Sequence, residues 1–164
     1  MKIREVMSSP AYTCLPQDTL ENAAGKLWEH DCGMLVVVDA KGAVGGALTD
    51  RDICMGALTK GRPLGELRVA DSMSDGIVTC SADEDVSAAA LRMADRQLHR
   101  LPVVDADGKA IGMLSLNDLA NVSQEHAPVG KHALAVLTAI CRHRTSVPIA
   151  PEKPNRKAPL TARS

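Results

Sequence analysis

The stretch GALTDRDI, residues 46–53, closes a run of small and apolar residues with a threonine, two acids and an arginine, and GMLSLNDL, residues 112–119, nearly repeats it. Thr49 and Ser115 have the residue type and setting of helix N-caps. Each is followed three residues later by an acid, Asp52 or Asp118, that suits the positive end of a helix. The same groups also sketch a pair of ligand sites. A hydroxyl and free backbone N–H groups at a helix start favour an anionic phosphate, and a carboxylate one turn inward offers two acceptor oxygens to the paired hydroxyls of a ribose. The residues alone allow both readings.

Working outward, the similarity extends well beyond these two octets. Displacing the chain by 66 residues lays MSSPAYTC…GALTDRDI onto MSDGIVTC…GMLSLNDL without a gap, with about fifteen identities in about 48 positions. The period exceeds usual solenoid lengths, so the chain reads as two copies of one small unit. Thr13 falls on Thr79, Cys14 on Cys80, Val37-Val38-Asp39 on Val103-Val104-Asp105, Gly42 on Gly108 and Asp52 on Asp118.

Each copy predicts the same elements. A short extended piece at Thr13 or Thr79 leads to an Ala- and Leu-rich helix over about 19–30 or 85–97. MLVVVD and RLPVVD are strands, DAKG and DADG supply turns, and AVGGAL and KAIGML return as second strands. A second helix opens at Thr49 or Ser115. The class is α+β, with β-α-β-β-α twice over. Pro102 within its strand predicts an edge position or the strand's beginning. One unit of this size buries too little apolar surface to be comfortable alone, so the copies should pack on each other.

Composition excludes other classes. The chain is 45% apolar and 24% charged, in the range of globular domains, but only 1% aromatic, with Trp28 and Tyr12 and no Phe. Stacking platforms for single-stranded nucleic acid are not expected, and a net charge of −1 gives no general attraction to nucleic acid or anionic membranes. The five cysteines (Cys14, Cys32, Cys54, Cys80, Cys141) are odd in number with no C-x-x-C pair, which predicts reduced thiols and no metal site. No signal segment or membrane-length apolar run is seen, so the cytoplasm is expected. Catalytic signatures such as G-x-S-x-G, H-E-x-x-H and the P-loop are missing, and no enzyme is expected. Cys14 and Cys80 read as buried small hydrophobes.

The repeated order of a Thr-Cys strand, V-V-D, a glycine turn, G-x-L-[ST]-x-x-D and a helix resembles the cystathionine-β-synthase (CBS) domain, a regulatory module found in tandem. The resemblance covers about Met1 to Gln124, and TDRD in the first copy and HRLPVVD in the second are especially similar to stand-alone bacterial CBS-pair proteins. It implies two tandem CBS domains, at 1–62 and 63–125, packed through their sheets with pseudo-twofold symmetry. It implies clefts between them that bind AMP, ADP, ATP or S-adenosylmethionine as a regulatory ligand, with no required cofactor. It further implies a homodimer joined through helices such as those after Thr49 and Ser115, acting on a downstream protein that the sequence does not name. Under this resemblance Asp52 and Asp118 hold ribose, Thr49 and Ser115 meet phosphate or the sugar edge, and the backbone at Thr13 and Thr79 meets the base.

His99 and Arg100, just before the second copy's strand, form a second cluster: an imidazole beside a planar guanidinium suits a phosphate, and an exposed polar edge would look the same. Their counterparts are Gly33 and Met34, and Arg51 is answered by Asn117, so the two clefts should differ. Arg51 reads equally as a phosphate contact or a solvated first-turn residue. A further helix is expected from about 130 to 142 within a C-terminal segment 126–147, and 148–164, rich in proline and basic residues, should be extended or disordered. Set against the nucleotide-sensing reading is a structural or dimerisation module whose clefts bind nothing.

Overall fold

The computed structural model describes residues 1–142, so the expectation for 148–164 lies outside the described residues. The element order is β1 (Thr13–Cys14), α1 (Leu20–Glu29), β2 (Met34–Val38), β3 (Val44–Thr49), α2 (Asp50–Lys60), β4 (Ser74–Asp75), β5 (Cys80–Ser81), α3 (Val86–Arg96), β6 (Arg100–Val104), β7 (Ala110–Ser115), α4 (Leu116–Val122) and α5 (Ala127–Cys141). The α+β class and the duplicated β-α-β-β-α order are both present. In each copy a short strand pairs parallel with the middle strand, which pairs antiparallel with the strand leading to the motif helix. The helices start where the side chains cap them: Thr19 Oγ1 accepts from Asn22 N at 3.1 Å.

The two copies exchange their leading segments. Residues Ile3–Glu5 form a short 3-10 turn that lies on the second copy: Ile3 N donates to Glu84 O and Arg4 N to Ala82 O, each at 3.0 Å. The equivalent turn, Val69–Asp71, lies on the first copy, with Val69 N donating to Asp18 O and Ala70 N to Pro16 O at 2.9 Å. Ile3 is fully buried among Val86, Met93, Leu101 and Leu114, while Leu67 and Val69 are buried among Leu20, Leu35 and Leu48. Burying a side chain of this size contributes about 1.5–3 kcal/mol, so each copy's core is completed by the other's leader.

The crossing continues into the sheets. Ser74–Asp75 adds to the edge of β3, giving the order β1-β2-β3-β4, and Ser8 bridges to Met113 on β7 beside the β5-β6-β7 sheet. The glycine of each G-x-L-[ST] motif makes this possible. A Cβ on Gly46 would stand 2.5 Å from Ser74 O, and one on Gly112 would stand 2.7 Å from Ser8 O. At the far ends of the hairpins the two copies also touch, Ala43 bridging Lys109.

Pro102 departs from expectation. It is neither at an edge nor first in its strand, but third of five residues in β6, the central strand of its sheet. In the first copy Val36 N, at the equivalent position, donates to Tyr12 O at 2.9 Å. Proline has no such N–H, and β5 begins at Cys80, leaving Thr79 outside the strand where Thr13 is inside it. The proline is thus accommodated by a shorter neighbour. Beyond the duplicated units, α5 starts a few residues before the expected helix, with Pro128 in its first turn, and lies across α3 and α4 with Val129, Ala133 and Val136 buried.

Candidate functional site

Both motif helices carry complete capping boxes. Thr49 Oγ1 accepts from Asp52 N at 3.2 Å, while Asp52 Oδ2 accepts from Thr49 N at 2.9 Å and from the Thr49 hydroxyl at 2.7 Å. Ser115 and Asp118 repeat this at 3.2, 2.7 and 2.6 Å. The structural reading of these four residues is therefore correct, and it leaves the second carboxylate oxygen of each acid for other work. On Asp118 that oxygen, Oδ1, accepts from the Ser8 hydroxyl at 2.8 Å. Among the described residues no such bond reaches Asp52, although Ser74, the counterpart of Ser8, is paired with Ala47 as Ser8 is with Met113.

Asp118 and Ser115 line a cleft of about 240 Å³ together with Ser8, Tyr12, His30 and Arg100. Arg100 stands opposite Ser115 in the β6–β7 register and reaches across to the first copy, where a Cβ on Gly33 would lie 3.1 Å from its Nη2. The sequence left open which cleft this arginine serves; it joins its own copy's Asp118. Gly33, its neighbour across the boundary, is the counterpart of His99, so the pseudo-twofold axis passes close by. Also in the cleft's lining, the rings of Tyr12 and His30 stack with centroids 4.0 Å apart and planes 7° from parallel.

His99 is not brought to this cleft. It is exposed, and its carbonyl accepts from Leu116 N at 3.0 Å. It lies in the bend that precedes β6, and of the adjacent pair only Arg100 lines this cleft. Arg51 is exposed in the first turn of α2, its N–H on Asp50 Oδ1 at 2.7 Å, and it is not among the walls of this cleft. Thr13 is paired in β1, and its carbonyl accepts from Lys26 Nζ at 3.2 Å; Thr79 precedes β5. Neither lines the cleft. Thr49 and Asp52 belong to the opposite motif, where Val78 and Arg96 stand at the positions of Tyr12 and His30.

Ser8, Tyr12 and His30 were missed as site residues. The signal for Tyr12 was its being the one tyrosine in the chain, next to the Thr13 strand; nothing local pointed to His30 or Ser8.

The cleft thus offers carboxylate oxygens, a guanidinium and a pair of stacked rings. Its thiol is not primed for attack: burial pushes Cys32 above its ordinary value despite the opposing Met34 N–H and Arg100 charge. Cys14 and Cys80 are buried in the two cores and pushed by desolvation up to about 11 and about 12. Among the described residues no three His, Cys, Asp or Glu side chains gather as a metal site.

The CBS domain model matches residues 3–57 and again 65–125. The chain belongs to the CBS-domain family. This CBS pair is 33% identical over 118 residues to the CBS domain-containing protein YhcV of Bacillus subtilis, covering 72% of this chain and 82% of that one. It is 32% identical over 122 residues to an uncharacterised protein of Methanopyrus kandleri, covering 74% of this chain but only 62% of that relative's length. Among solved structures, the CBS domain pair of protein MJ0100, in complex with 5′-methylthioadenosine and S-adenosyl-L-methionine, superposes with a TM-score of 0.67 at 24% identity, over 74% of this chain and 98% of that one. At that identity the match speaks for the fold of the CBS pair. No described helix is long and apolar enough to cross a membrane.

Proposed function

We propose that this CBS pair is a ligand-sensing module that binds an adenosine-containing molecule, of the AMP, ADP, ATP or S-adenosylmethionine type, in the Asp118 cleft. It passes occupancy to a protein partner as a homodimer and performs no chemistry of its own. One observation carries the reading: Asp118, Arg100 and the Tyr12–His30 stack, from both copies, converge on one cleft. These are the groups a nucleotide needs. A carboxylate oxygen accepts from the ribose hydroxyls, the guanidinium faces a phosphate or a carboxylate, and the stacked rings offer a face to the base. The adenosine-derived ligands of the MJ0100 pair support the ligand class. Five free thiols suit a reducing compartment such as the cytoplasm.

A second reading, a structural module with empty clefts, is favoured by the Ser8–Asp118 bond, which already occupies Oδ1. Thermal melting separates the two. A ligand at 100 times its dissociation constant adds about 2.7 kcal/mol, so AMP, ATP, adenosine or S-adenosylmethionine should raise the melting temperature. No shift with any of the four would leave the structural reading standing.

A further inference from the structure

The Asp118 cleft does not end at Arg100. Asp31, Cys32, Gly33 and Arg100 line both this cleft and a second groove, of about 570 Å³, that runs on between α1 and α2. What divides the two spaces is thin. Gly33 has no side chain, and the Arg100 guanidinium lies over it, with Nη2 3.1 Å from where a Cβ would stand. The partition is therefore the end of a flexible side chain, with Asp118 on one side and the groove on the other.

The groove has a chemistry of its own. Beyond Arg100 its charged lining is acidic, Asp31 and Asp50, and Trp28 stands in its wall 90% exposed. Under the 66-residue displacement these three become Gln97, Leu116 and Ala94, so the second copy has neither the acids nor the ring. There Val129, Ala133 and Val136 of α5 share a core with Ala94, Leu98 and Leu116. Of the two copies, only the one whose groove is open and adjoins the Asp118 cleft carries the acids and the indole.

We infer that the groove is the second half of the ligand site and takes a positively charged 5′ substituent. The ligand is then an adenosine carrying an amino-acid chain, the S-adenosylmethionine type, in preference to a polyphosphate. This rests on the reading of the Asp118 cleft given above and narrows its ligand class. An adenosine seated at Asp118 with its 5′ substituent towards Arg100 offers the guanidinium a carboxylate or a single phosphate. A longer substituent passes into the groove. There an ammonium or sulfonium gains from the carboxylates of Asp31 and Asp50 and from the indole face of Trp28, which attracts cations. The outer phosphates of ATP meet two like charges instead, with no second cation among the groove's lining residues.

Calorimetric titration of the full chain with S-adenosylmethionine, 5′-methylthioadenosine, AMP and ATP, the last with and without Mg²⁺, tests this. S-adenosylmethionine should bind at least about tenfold more tightly than 5′-methylthioadenosine, which lacks the amino-acid chain, and metal-free ATP should bind more weakly than AMP. The double substitution Asp31→Asn/Asp50→Asn should lower affinity for S-adenosylmethionine about tenfold and raise that for ATP a few-fold. Asparagine tolerates the left-handed backbone of residue 31, where φ is 46°. Trp28→Ala should weaken S-adenosylmethionine about threefold. The chain contains one tryptophan, so its fluorescence locates the ligand: S-adenosylmethionine should change the emission, and 5′-methylthioadenosine, confined to the cleft, should not. Equal affinities for these two ligands, or an ATP complex tighter than that of S-adenosylmethionine with or without Mg²⁺, would overturn the inference while leaving an adenosine site at Asp118. Groove variants that bind S-adenosylmethionine like wild type would do the same. Binding of none of the four ligands would overturn both readings together. Should the double variant fail to melt cooperatively, Trp28→Ala and the fluorescence decide, since that side chain is exposed.

Discussion

The hydroxyl of Ser8 donates to Asp118 Oδ1 at 2.8 Å, tying the leading segment of the first copy to the acid of the second copy's motif. A ligand that uses this oxygen must displace or share it. Asp118→Ala should therefore weaken nucleotide binding about tenfold or more, the scale of a hydrogen bond to a charged group. Ser8→Ala should leave affinity unchanged or raise it a few-fold. Calorimetric titration checks both; a large loss in Ser8→Ala would mean that the hydroxyl holds the ligand itself.

Asp52 and Asp118 occupy different motifs, and only Asp118 shares a cleft with Arg100 and the Tyr12–His30 stack. Asp52→Ala should therefore leave the tighter binding event close to wild type while Asp118→Ala weakens it about tenfold or more. Equal losses in the two variants would show that the clefts are equivalent despite their different walls.

Arg100 faces the Asp118 cleft with a charge that no first-copy residue duplicates. Arg100→Ala should lower affinity for AMP much more than for adenosine, and the gap should narrow at high salt as the charge-assisted contact is screened. Titrations with both ligands at two salt concentrations test this. Equal losses would assign Arg100 to the base or to the fold.

Gly46 and Gly112 permit the crossing segments to pass. A methyl group there would meet Ser74 O at 2.5 Å or Ser8 O at 2.7 Å, both backbone atoms that cannot simply rotate away. Gly46→Ala and Gly112→Ala should each destabilise by about 1–3 kcal/mol, the range of overpacked sites. Urea unfolding measures it, and a neutral result would mean that the leaders shift freely.

The buried thiols set an alkaline limit. Cys14 and Cys80 are raised from 9.0 to about 11 and about 12, chiefly by desolvation. The folded state holds these protons after the unfolded chain has begun to release them. The associated stability is complete below about pH 9 and falls as pH rises towards 11 and 12. The slope is about 1.4 kcal/mol per pH unit for each thiol. Urea midpoints measured from pH 8 upward should fall less steeply in a Cys14→Ala/Cys80→Ala variant than in the wild type. Parallel slopes would exclude these thiols as the cause.

The duplication, the caps at Thr49 and Ser115 and the helices at 20–29 and 86–96 were legible because each is written in local residue types and in the repeat itself. The exchange of leaders was not. Ile3 and Val69 are equivalent positions, and a repeat looks the same whether each leader folds onto its own copy or onto the other. The stacked wall was hidden for a related reason: Tyr12 and His30 have no aromatic counterparts, so comparing the two copies makes them look like drift. Pro102 misled because its tolerance depends on where β5 begins, a property of the neighbouring strand.

The exchanged leaders also order events during synthesis. Ile3 leaves the ribosome well ahead of its seat, which is built from Val86, Met93, Leu101 and Leu114, roughly a hundred residues later in the chain. At about 5–20 residues per second that is a wait of several seconds. Through this interval an apolar side chain destined for full burial has nowhere to go. The first copy waits only until Leu67 and Val69 arrive, so its core can close well before the second copy's. A nascent chain halted between the copies would hold a first core still missing its lid and a leader still missing its socket.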